Sequence, residues 1–354
     1  MHRLLVACFA SKSDGGGVQC VEFDGRGGSF GNTRKLVGLE KPFFLASRGV
    51  PGTQIFSNDS SDFGGRESEF IVRLQWEGDE LRVVERVDSR GSATCHLALD
   101  ATGRFLFAAN YCSGNVCAYR LDETGGFERL VAEVFHSGSG RSPERQEAPH
   151  PHCIAVSPNN DRIWVADLGT DRVETYLMDQ ARMPLRTGSK VRFLNQRPGA
   201  GPRHVRFSPD GRWFAVVNEL DSTLALYRTN ANHVPTGAPH VLSTLPVGFN
   251  GGSTCADVAF SPCGAWVFVT NRGHDSIAVF KLQSGGPALV DIVSSGAPGP
   301  QNLWVSGDGR WLLCANMPGG SVVSFRLADL ICGKGVTVDR IEMRLPACLL
   351  EAAF

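Results

Sequence analysis

Residues 201–220 read GPRHVRFSPDGRWFAVVNEL, and this stretch predicts a complete β-hairpin. The run His204–Ser208 alternates in polarity, and Trp213–Val217 is a second, apolar run. Between them lies the turn tetrad Ser208-Pro209-Asp210-Gly211. Proline presets φ at the second turn position and glycine accepts the positive φ that closes the turn.

The open end of this hairpin carries charged and polar side chains that are common in active sites. In an antiparallel hairpin the start of the first strand lies beside the end of the second. Arg203 and His204 are therefore expected next to Asn218 and Glu219. A cation, an imidazole and a carboxylate would then meet on one rim of a rigid sheet.

The same hairpin pattern recurs along the chain. Each copy begins at a polar residue, passes through a turn and ends at an Asn or Asp. In the hairpin quoted above these two residues are 14 positions apart (204 to 218). One copy spans 15 positions (152 to 167), and there Asn159-Asn160 is interpreted as an inserted turn residue. A third strand is predicted after each copy. The other four copies begin at His96, His152, Asp257 and Asn302.

The two ends of the chain are predicted to share one unit. A weaker copy spans Phe44–Asn58, and further upstream Leu4–Phe9 and Val18–Phe23 resemble second and third strands without a first. The C-terminal run Cys348–Ala353 is predicted to supply it, which would leave no open sheet edge. Seven such units predict an all-β, seven-bladed β-propeller, a single domain over residues 1–354.

Composition excludes several classes of protein. A net charge of −1 offers no global basic field for nucleic acid. No apolar run approaches the roughly 18 residues of a membrane span. The 11 cysteines form no CxxC pair and no zinc-type spacing, so a reducing, cytoplasmic location is expected. Arginines near the predicted rim disfavour cations, so no metal is expected there.

A ring of candidate catalytic residues is predicted at one mouth of the propeller channel, where the first strands of all blades begin. Glu219 and Arg272 occupy equivalent points of neighbouring blades, with Arg203 close by and His152 in the same ring. We predict these four residues to be catalytic. The residues predicted to bind substrate beside them are His150, His204, Asn218, Asn271 and His274.

Structural explanations for the same residues stay open at this point. Histidines that recur at strand starts can bond backbone groups, and Asn at strand ends can begin turns. The Glu219/Arg272 pair can be an interblade salt bridge. The glycine- and charge-rich loops Ser57–Glu69 and Ser137–Glu147 are predicted insertions, the second being either a solvated loop or a flap over His150 and His152.

Three segments carry a family resemblance. HPHCIAVSPNNDRIWVADLGTDRV (from His150), GPRHVRFSPDGRWFAVVNEL and ADVAFSPCGAWVFVTNRGHDSIAVF (from Ala256) resemble the lactonase propeller family. This family includes bacterial-type 6-phosphogluconolactonases and fungal carboxy-cis,cis-muconate cyclases. The resemblance covers nearly the whole chain. One departure is Gln301 before Asn302, where relatives often have arginine.

The resemblance implies hydrolysis of 6-phosphogluconolactone to 6-phosphogluconate in the pentose phosphate pathway, without a cofactor. It places the family's site on His152, Arg203, Glu219 and Arg272. Opening the lactone needs a base, positive charge for the oxyanion and an acid for the ring oxygen. Either Glu219 or His152 fits the base, and each arginine fits phosphate binding or oxyanion stabilisation. The alternatives are a muconate cycloisomerase and a non-catalytic propeller that scaffolds protein partners.

Overall fold

The structure, a computed structural model, describes residues 1–48, 54–61, 63–65, 69–178, 185 and 193–352. Within them the strands form seven four-stranded sheets. Helix is limited there to α1 (Leu327–Leu330) and two 3₁₀ turns, Lys12–Asp14 and Leu168–Thr170. No helix in these ranges is long and apolar enough to cross a membrane.

The strands follow the chain blade by blade. Blade 1 contains β1 (His2–Cys8), β2 (Gly17–Phe23) and β3 (Phe30–Val37), together with a strand from the C-terminus that is described below. Blade 2 contains β4 (Leu45–Arg48), β5 (Gln54–Asp59), β6 (Phe70–Glu77) and β7 (Glu80–Asp88). Blades 3 and 4 contain β8 (Thr94–Leu99), β9 (Phe105–Asn110), β10 (Asn115–Leu121), β11 (Phe127–Phe135), β12 (Pro151–Val156), β13 (Arg162–Asp167), β14 (Arg172–Leu177) and β15 (Phe193–Asn195).

The second half of the chain repeats this order. Blade 5 contains β16 (Pro202–Phe207), β17 (Trp213–Asn218), β18 (Thr223–Thr229) and β19 (Pro235–Ser243), and blade 6 contains β20 (Thr254–Phe260), β21 (Trp266–Arg272), β22 (Ser276–Gln283) and β23 (Gly286–Ser294). Blade 7 contains β24 (Pro300–Val305), β25 (Trp311–Asn316), β26 (Ser321–Arg326) and β27 (Thr337–Glu342), and β28 (Pro346–Ala352) follows.

The C-terminal strand closes the ring, as predicted. β28 pairs antiparallel with β1, with Arg3 opposite Ala352 and Ala7 opposite Cys348, and so becomes the innermost strand of blade 1. Ala353 lies outside the described residues. Each innermost strand contacts the innermost strands of the blades on either side. Around the ring these strands are β28, β4, β8, β12, β16, β20 and β24, and β24 contacts β28 again. The seven-bladed β-propeller is confirmed.

The core lies between the blades. The second strand of a blade is buried on both faces because each face packs on a neighbouring blade, which is why these strands are continuous apolar runs. Between blades 5 and 6, for example, Val217 and Leu224 pack in one cluster with Val258 and Phe280. These layers give the inner strands a rigid support for a site.

A β-bulge near the start of the innermost strand recurs from blade to blade. Pro202 pairs with Asn218 and His204 with Val217, so Arg203 is an extra residue opposite no partner of its own. The bulge in blade 4 has the same form and falls on His152. Blades 3 and 7 place it on Cys95 and Gln301.

The bulge corrects the register predicted for blade 4. Pro151 pairs with Asp167 as Pro202 pairs with Asn218, and 16 positions separate the partners in both hairpins (151 to 167, 202 to 218). The turn therefore holds no inserted residue. Asn160 instead takes the positive-φ position (φ 55°) that glycine holds in the other hairpin. The prediction was wrong because it aligned His152 with His204, whereas His152 is the counterpart of Arg203.

Candidate active site

A cavity of about 340 Å³ opens at the mouth where the inner strands begin. One wall is charged and the other is largely aromatic. Cys95, His152 and Arg203, the bulge residues of blades 3, 4 and 5, all line it. The remaining lining residues are Phe43, Phe63, Gly64, Ala93, Tyr111, Cys112, Arg145, Glu219 and Arg272.

The charged wall is built on one carboxylate, that of Glu219. Its Oε1 accepts a hydrogen bond from Arg145 Nη2 at 2.6 Å. Its Oε2 lies 3.0 Å from Arg272 Nη2 and 2.9 Å from Arg203 Nε. The Arg203 contact is a charge pair without hydrogen-bond alignment, because its Nε–H is not directed at the oxygen. Three guanidinium groups thus share a single anion.

Neighbouring backbone and side-chain oxygens hold two of these arginines from behind. Arg203, 1% exposed, donates to the carbonyl oxygen of Ala256 at 2.5 Å. Arg272 donates to the Cys255 carbonyl at 3.2 Å and to Gln301 Oε1 at 3.4 Å. Gln301, the departure noted in the sequence, therefore supports Arg272 from blade 7. Both guanidinium groups are anchored to the sheets.

The arginines keep Glu219 ionised. Burial by itself raises the pKa of Glu219, but the charges of Arg272, Arg203 and Arg145 outweigh it and the net pKa lies below the ordinary value. Burial also lowers the pKa of Arg203 to about 10, which still leaves it protonated at neutral pH. A carboxylate whose two oxygens already contact three guanidinium groups is a weak proton acceptor.

His152 has the opposite properties. It is 6% exposed, and burial together with the charge of Arg203 lowers its pKa well below the ordinary value. The imidazole is therefore neutral at pH 7. Its Nδ1 is buried and has no hydrogen-bond partner among the described residues. A neutral imidazole with an unused nitrogen, on the wall of a cavity, is suited to accept or relay a proton.

The opposite wall presents aromatic rings. Phe43 and Phe63 are stacked with ring centroids 5.5 Å apart, and Phe9 packs edge-on against both. Tyr111 stacks on His150 at 4.3 Å and meets His152 edge-on at 5.6 Å. The cavity therefore pairs a cationic wall with flat apolar surfaces, which suits an anionic ligand with a ring or planar chain.

The structure brings the four residues predicted to be catalytic into this one cavity. His152, Arg203, Glu219 and Arg272 all line it, although they come from blades 4, 5 and 6. Hairpin geometry predicted that Arg203 lies close to Glu219. The equivalence of positions in neighbouring blades predicted that Arg272 also lies close to Glu219.

The five residues predicted to bind substrate lie outside the cavity wall. His204 follows the bulge and faces the channel below, where its Nδ1 lies 2.8 Å from Asp257 Oδ1. His150 lies behind Tyr111, with its ring nitrogens 2.8 Å from the Tyr111 carbonyl oxygen and 3.1 Å from Glu147 Oε1. Both histidines thus have partners that hold the scaffold of the site.

The other three of these residues close hairpins and loops. Asn218 donates to Thr223 Oγ1 at 3.0 Å, and Asn271 donates to Ser276 Oγ at 3.1 Å. His274 Nδ1 lies 2.7 Å from the same Ser276 hydroxyl. Asn side chains at the end of a second strand bond the first residue of the third strand, which is the structural explanation left open above.

Eight of the twelve residues that line the cavity were not among the predicted site residues, and Tyr111 and Arg145 are two of them. Tyr111 is the residue after the strand-ending Asn110, the position that Glu219 holds in blade 5, so equivalence between blades was a signal for it. Arg145 comes from the predicted insertion Ser137–Glu147, and no periodicity marks it. The other insertion begins later than predicted, because Ser57–Asp59 belong to β5, and residues 62 and 66–68 lie outside the described residues.

Metal ligation has no support in the described ranges. No group of three or more His, Cys, Asp or Glu side chains there is arranged to hold a metal ion. The polar groups of the cavity are mostly donors, as arginines are, and donors suit anions.

Comparison with known proteins agrees with this arrangement. The family described as "Lactonase, 7-bladed beta-propeller" matches residues 3–348. A 6-phosphogluconolactonase of Bacillus subtilis is 28% identical over 317 residues, covering 89% of this chain and 88% of the relative. An uncharacterized protein of Staphylococcus epidermidis is 31% identical over 294 residues, covering 78% of this chain and 84% of its own length.

Solved structures extend the similarity to the whole length. The periplasmic gluconolactonase of Pseudomonas aeruginosa superimposes with a TM-score of 0.90 at 25% identity, covering 99% of each chain. The family match, the closed ring of seven blades and the charged cavity at its mouth lead to one conclusion. This chain belongs to the lactonase family of seven-bladed β-propellers.

Proposed function

We propose that this protein hydrolyses a phosphorylated sugar lactone, 6-phosphogluconolactone, to 6-phosphogluconate, the lactonase step of the pentose phosphate pathway. The observation that carries the proposal is the neutral His152 beside a cluster of three arginines in one cavity. The first supplies a proton acceptor and the second supplies positive charge for anions. The names of the Bacillus and Pseudomonas relatives add support.

The reaction uses these groups in a defined order. His152 takes a proton from water as the water oxygen bonds to the lactone carbonyl carbon, and the carbonyl electrons move onto its oxygen. Arg203 and Arg272 stabilise this oxyanion. When the intermediate collapses, the bond from this carbon to the ring oxygen breaks, and the protonated His152 returns its proton to that oxygen. The carboxylic acid product then ionises in solvent.

Glu219 has a positioning role in this proposal. Its two oxygens contact three arginines, which makes it a poor base and supports His152 as the base in this proposal. Its carboxylate holds Arg203 and Arg272 together against their mutual repulsion. Without it, two buried like charges would stand side by side.

The test is hydrolysis of freshly generated 6-phosphogluconolactone, with gluconolactone as the substrate without phosphate. Because the lactone opens spontaneously, rates are compared with buffer alone. We expect acceleration by the wild type and a kcat at least 100-fold lower in Arg203→Ala. The matched control is Arg212→Ala, an exposed arginine in the turn of the same hairpin, paired with Asp210. No acceleration over buffer by the wild type would refute the proposal.

The aromatic wall favours one second candidate, a muconate cycloisomerase. Phe43, Phe63 and Tyr111 suit a planar unsaturated chain, and arginine forks bind carboxylates as well as phosphates. Loss of the ultraviolet absorbance of 3-carboxy-cis,cis-muconate in the same preparation would favour this candidate. A scaffold would be favoured by an exposed apolar belt on the outer blade edges together with an unoccupied rim, and here the rim carries the charged cavity.

A further inference from the structure

The segment Ser137–Pro149, here called the strap, connects blades 3 and 4 and brings Arg145 to the cavity. Gln146 anchors it and is fully buried. Its Nε2 donates to the Leu168 carbonyl oxygen and to Asp171 Oδ1, both at 2.7 Å. Its Oε1 accepts from the Ser142 amide at 3.1 Å. The backbone beside Arg145 is therefore held in place by a buried polar side chain.

Arg145 differs from the other two arginines in exposure and support. Its side chain is 41% exposed, against 2% for Arg203 and 26% for Arg272. It bonds Glu219 Oε1 and the side chain of Tyr111, whereas Arg203 and Arg272 also bond carbonyl oxygens of blade 6. Arg145 can therefore leave Glu219 without opening the sheets, and the other two cannot.

The charge of the cavity defines the ligand. Three arginines and one carboxylate leave a net charge of +2, since three positive charges meet one negative charge and His152 is neutral. Without Arg145 the net charge is +1. A phosphate monoester is close to a dianion at neutral pH. Its charge complements the net charge of +2 with Arg145 in place and not the net charge of +1 without it.

We propose that Arg145 is a specificity-determining residue that exchanges its contact with Glu219 for the phosphate group of the substrate, while Arg203 and Arg272 stay on Glu219. The substrate class rests on the proposed function, and the role of Arg145 in binding a dianion is testable without turnover. The exchange replaces one ion pair with another, so Arg145 is never left unpaired. Oε1 of Glu219 becomes free as the phosphate arrives.

The first arm of the test measures binding of inorganic phosphate by calorimetry at constant ionic strength. We expect at least tenfold weaker binding in Arg145→Ala and partial recovery in Arg145→Lys, which keeps the charge and loses the fork. Arg141→Ala removes an exposed arginine of the same strap that does not line the cavity, and should bind as the wild type does. Unchanged phosphate affinity in Arg145→Ala, or no binding by the wild type, overturns the proposal.

The second arm measures turnover. With the phosphorylated lactone, Arg145→Ala should raise KM at least tenfold and change kcat less than threefold, and the rise in KM should be larger than with gluconolactone, which has no phosphate. If the wild type does not hydrolyse the lactone, the proposed function fails, and the phosphate arm still decides the role of Arg145. Tighter binding of glutarate than of phosphate would overturn the phosphate assignment in favour of a dicarboxylate.

Discussion

The inner hairpins of blades 4 and 5 have the same backbone and use it differently. Both carry a bulge at the second residue of the inner strand, His152 in one and Arg203 in the other, and both bulge residues line the cavity. The next residue, Cys153 or His204, lines the channel below. His152 and His204 are thus close neighbours, with rings 5.5 Å apart, in two different environments.

The comparison shows that one residue of register separates a histidine with an unpartnered nitrogen on the cavity wall from a histidine with a carboxylate partner in the channel. His152 at the bulge has an unpartnered Nδ1, whereas His204 one position later is paired with Asp257. Asp257 in turn accepts from Asn302 at 2.7 Å and from the Leu303 amide at 2.9 Å, which links blades 5, 6 and 7. In the proposed function the bulge residues carry the reacting groups, and the contacts of the layer below link neighbouring blades.

The largest effect is expected at the bulge of blade 4. In His152→Asn the proton acceptor is lost while the volume changes little, so kcat for the lactone should fall about 10²- to 10⁴-fold. The measurement is steady-state hydrolysis corrected for the buffer rate, with Cys153→Ser as the neighbouring control. A kcat within threefold of the wild type would remove His152 from its role as base.

A smaller effect, on stability, is expected one residue further along in blade 5. His204→Ala leaves Asp257 without its imidazole partner inside the protein, which should lower the free energy of unfolding by about 3 kcal/mol. Urea unfolding followed by tryptophan fluorescence measures it, and His204→Asn should lose less because its amide still donates. A raised KM with unchanged stability would mean that His204 binds substrate instead.

The smallest effect of a single residue is its contribution to the pH dependence of stability. Burial lowers the pKa of His96, His152 and His204 below 6.5, so the unfolded state binds more protons and stability falls as the pH drops below about 6.5. Each histidine contributes up to about 1.4 kcal/mol per pH unit. Asp257, with its lowered pKa, adds its own loss only below about pH 4.

The check is urea unfolding at pH 7.5, 6.0 and 5.0, compared between the wild type and His152→Asn. The variant should show a slope smaller by about 1.4 kcal/mol per pH unit at the acidic end. A stability that is independent of pH from 7.5 to 5.0 would show that these histidines have the same pKa in the folded and unfolded states.

Much of the fold was predictable because its signals are local. The turn tetrad at Ser208–Gly211 and the paired runs on either side recur in each clear copy, and they predicted the strand pairs that the structure has. The closing strand was predictable because the first blade lacked an inner strand. The four cavity residues followed from the hairpin ends and from the equivalence of blades.

The error in the register of blade 4 has a physical origin, and the same bulge bears on the residues predicted to bind substrate, which lie outside the cavity wall. An extra residue in a bulge changes the count along one strand without any change in composition, so His152 was aligned with His204 instead of Arg203. The five residues predicted to bind substrate were chosen for their proximity in sequence to the cavity residues. Alternation and the bulge point them at Thr223, Ser276, Asp257 and other partners instead.

By itself, the sequence determined the seven hairpin units, their closure through both termini and the blades that carry the charged residues. Turn chemistry and apolar patterning act over a few residues, so they can be followed along the chain. Only the tertiary structure decided that Arg145 reaches Glu219 from the strap between blades 3 and 4 and that three arginines share this carboxylate. Those contacts join residues up to 74 positions apart, and their geometry depends on how the blades pack around the channel.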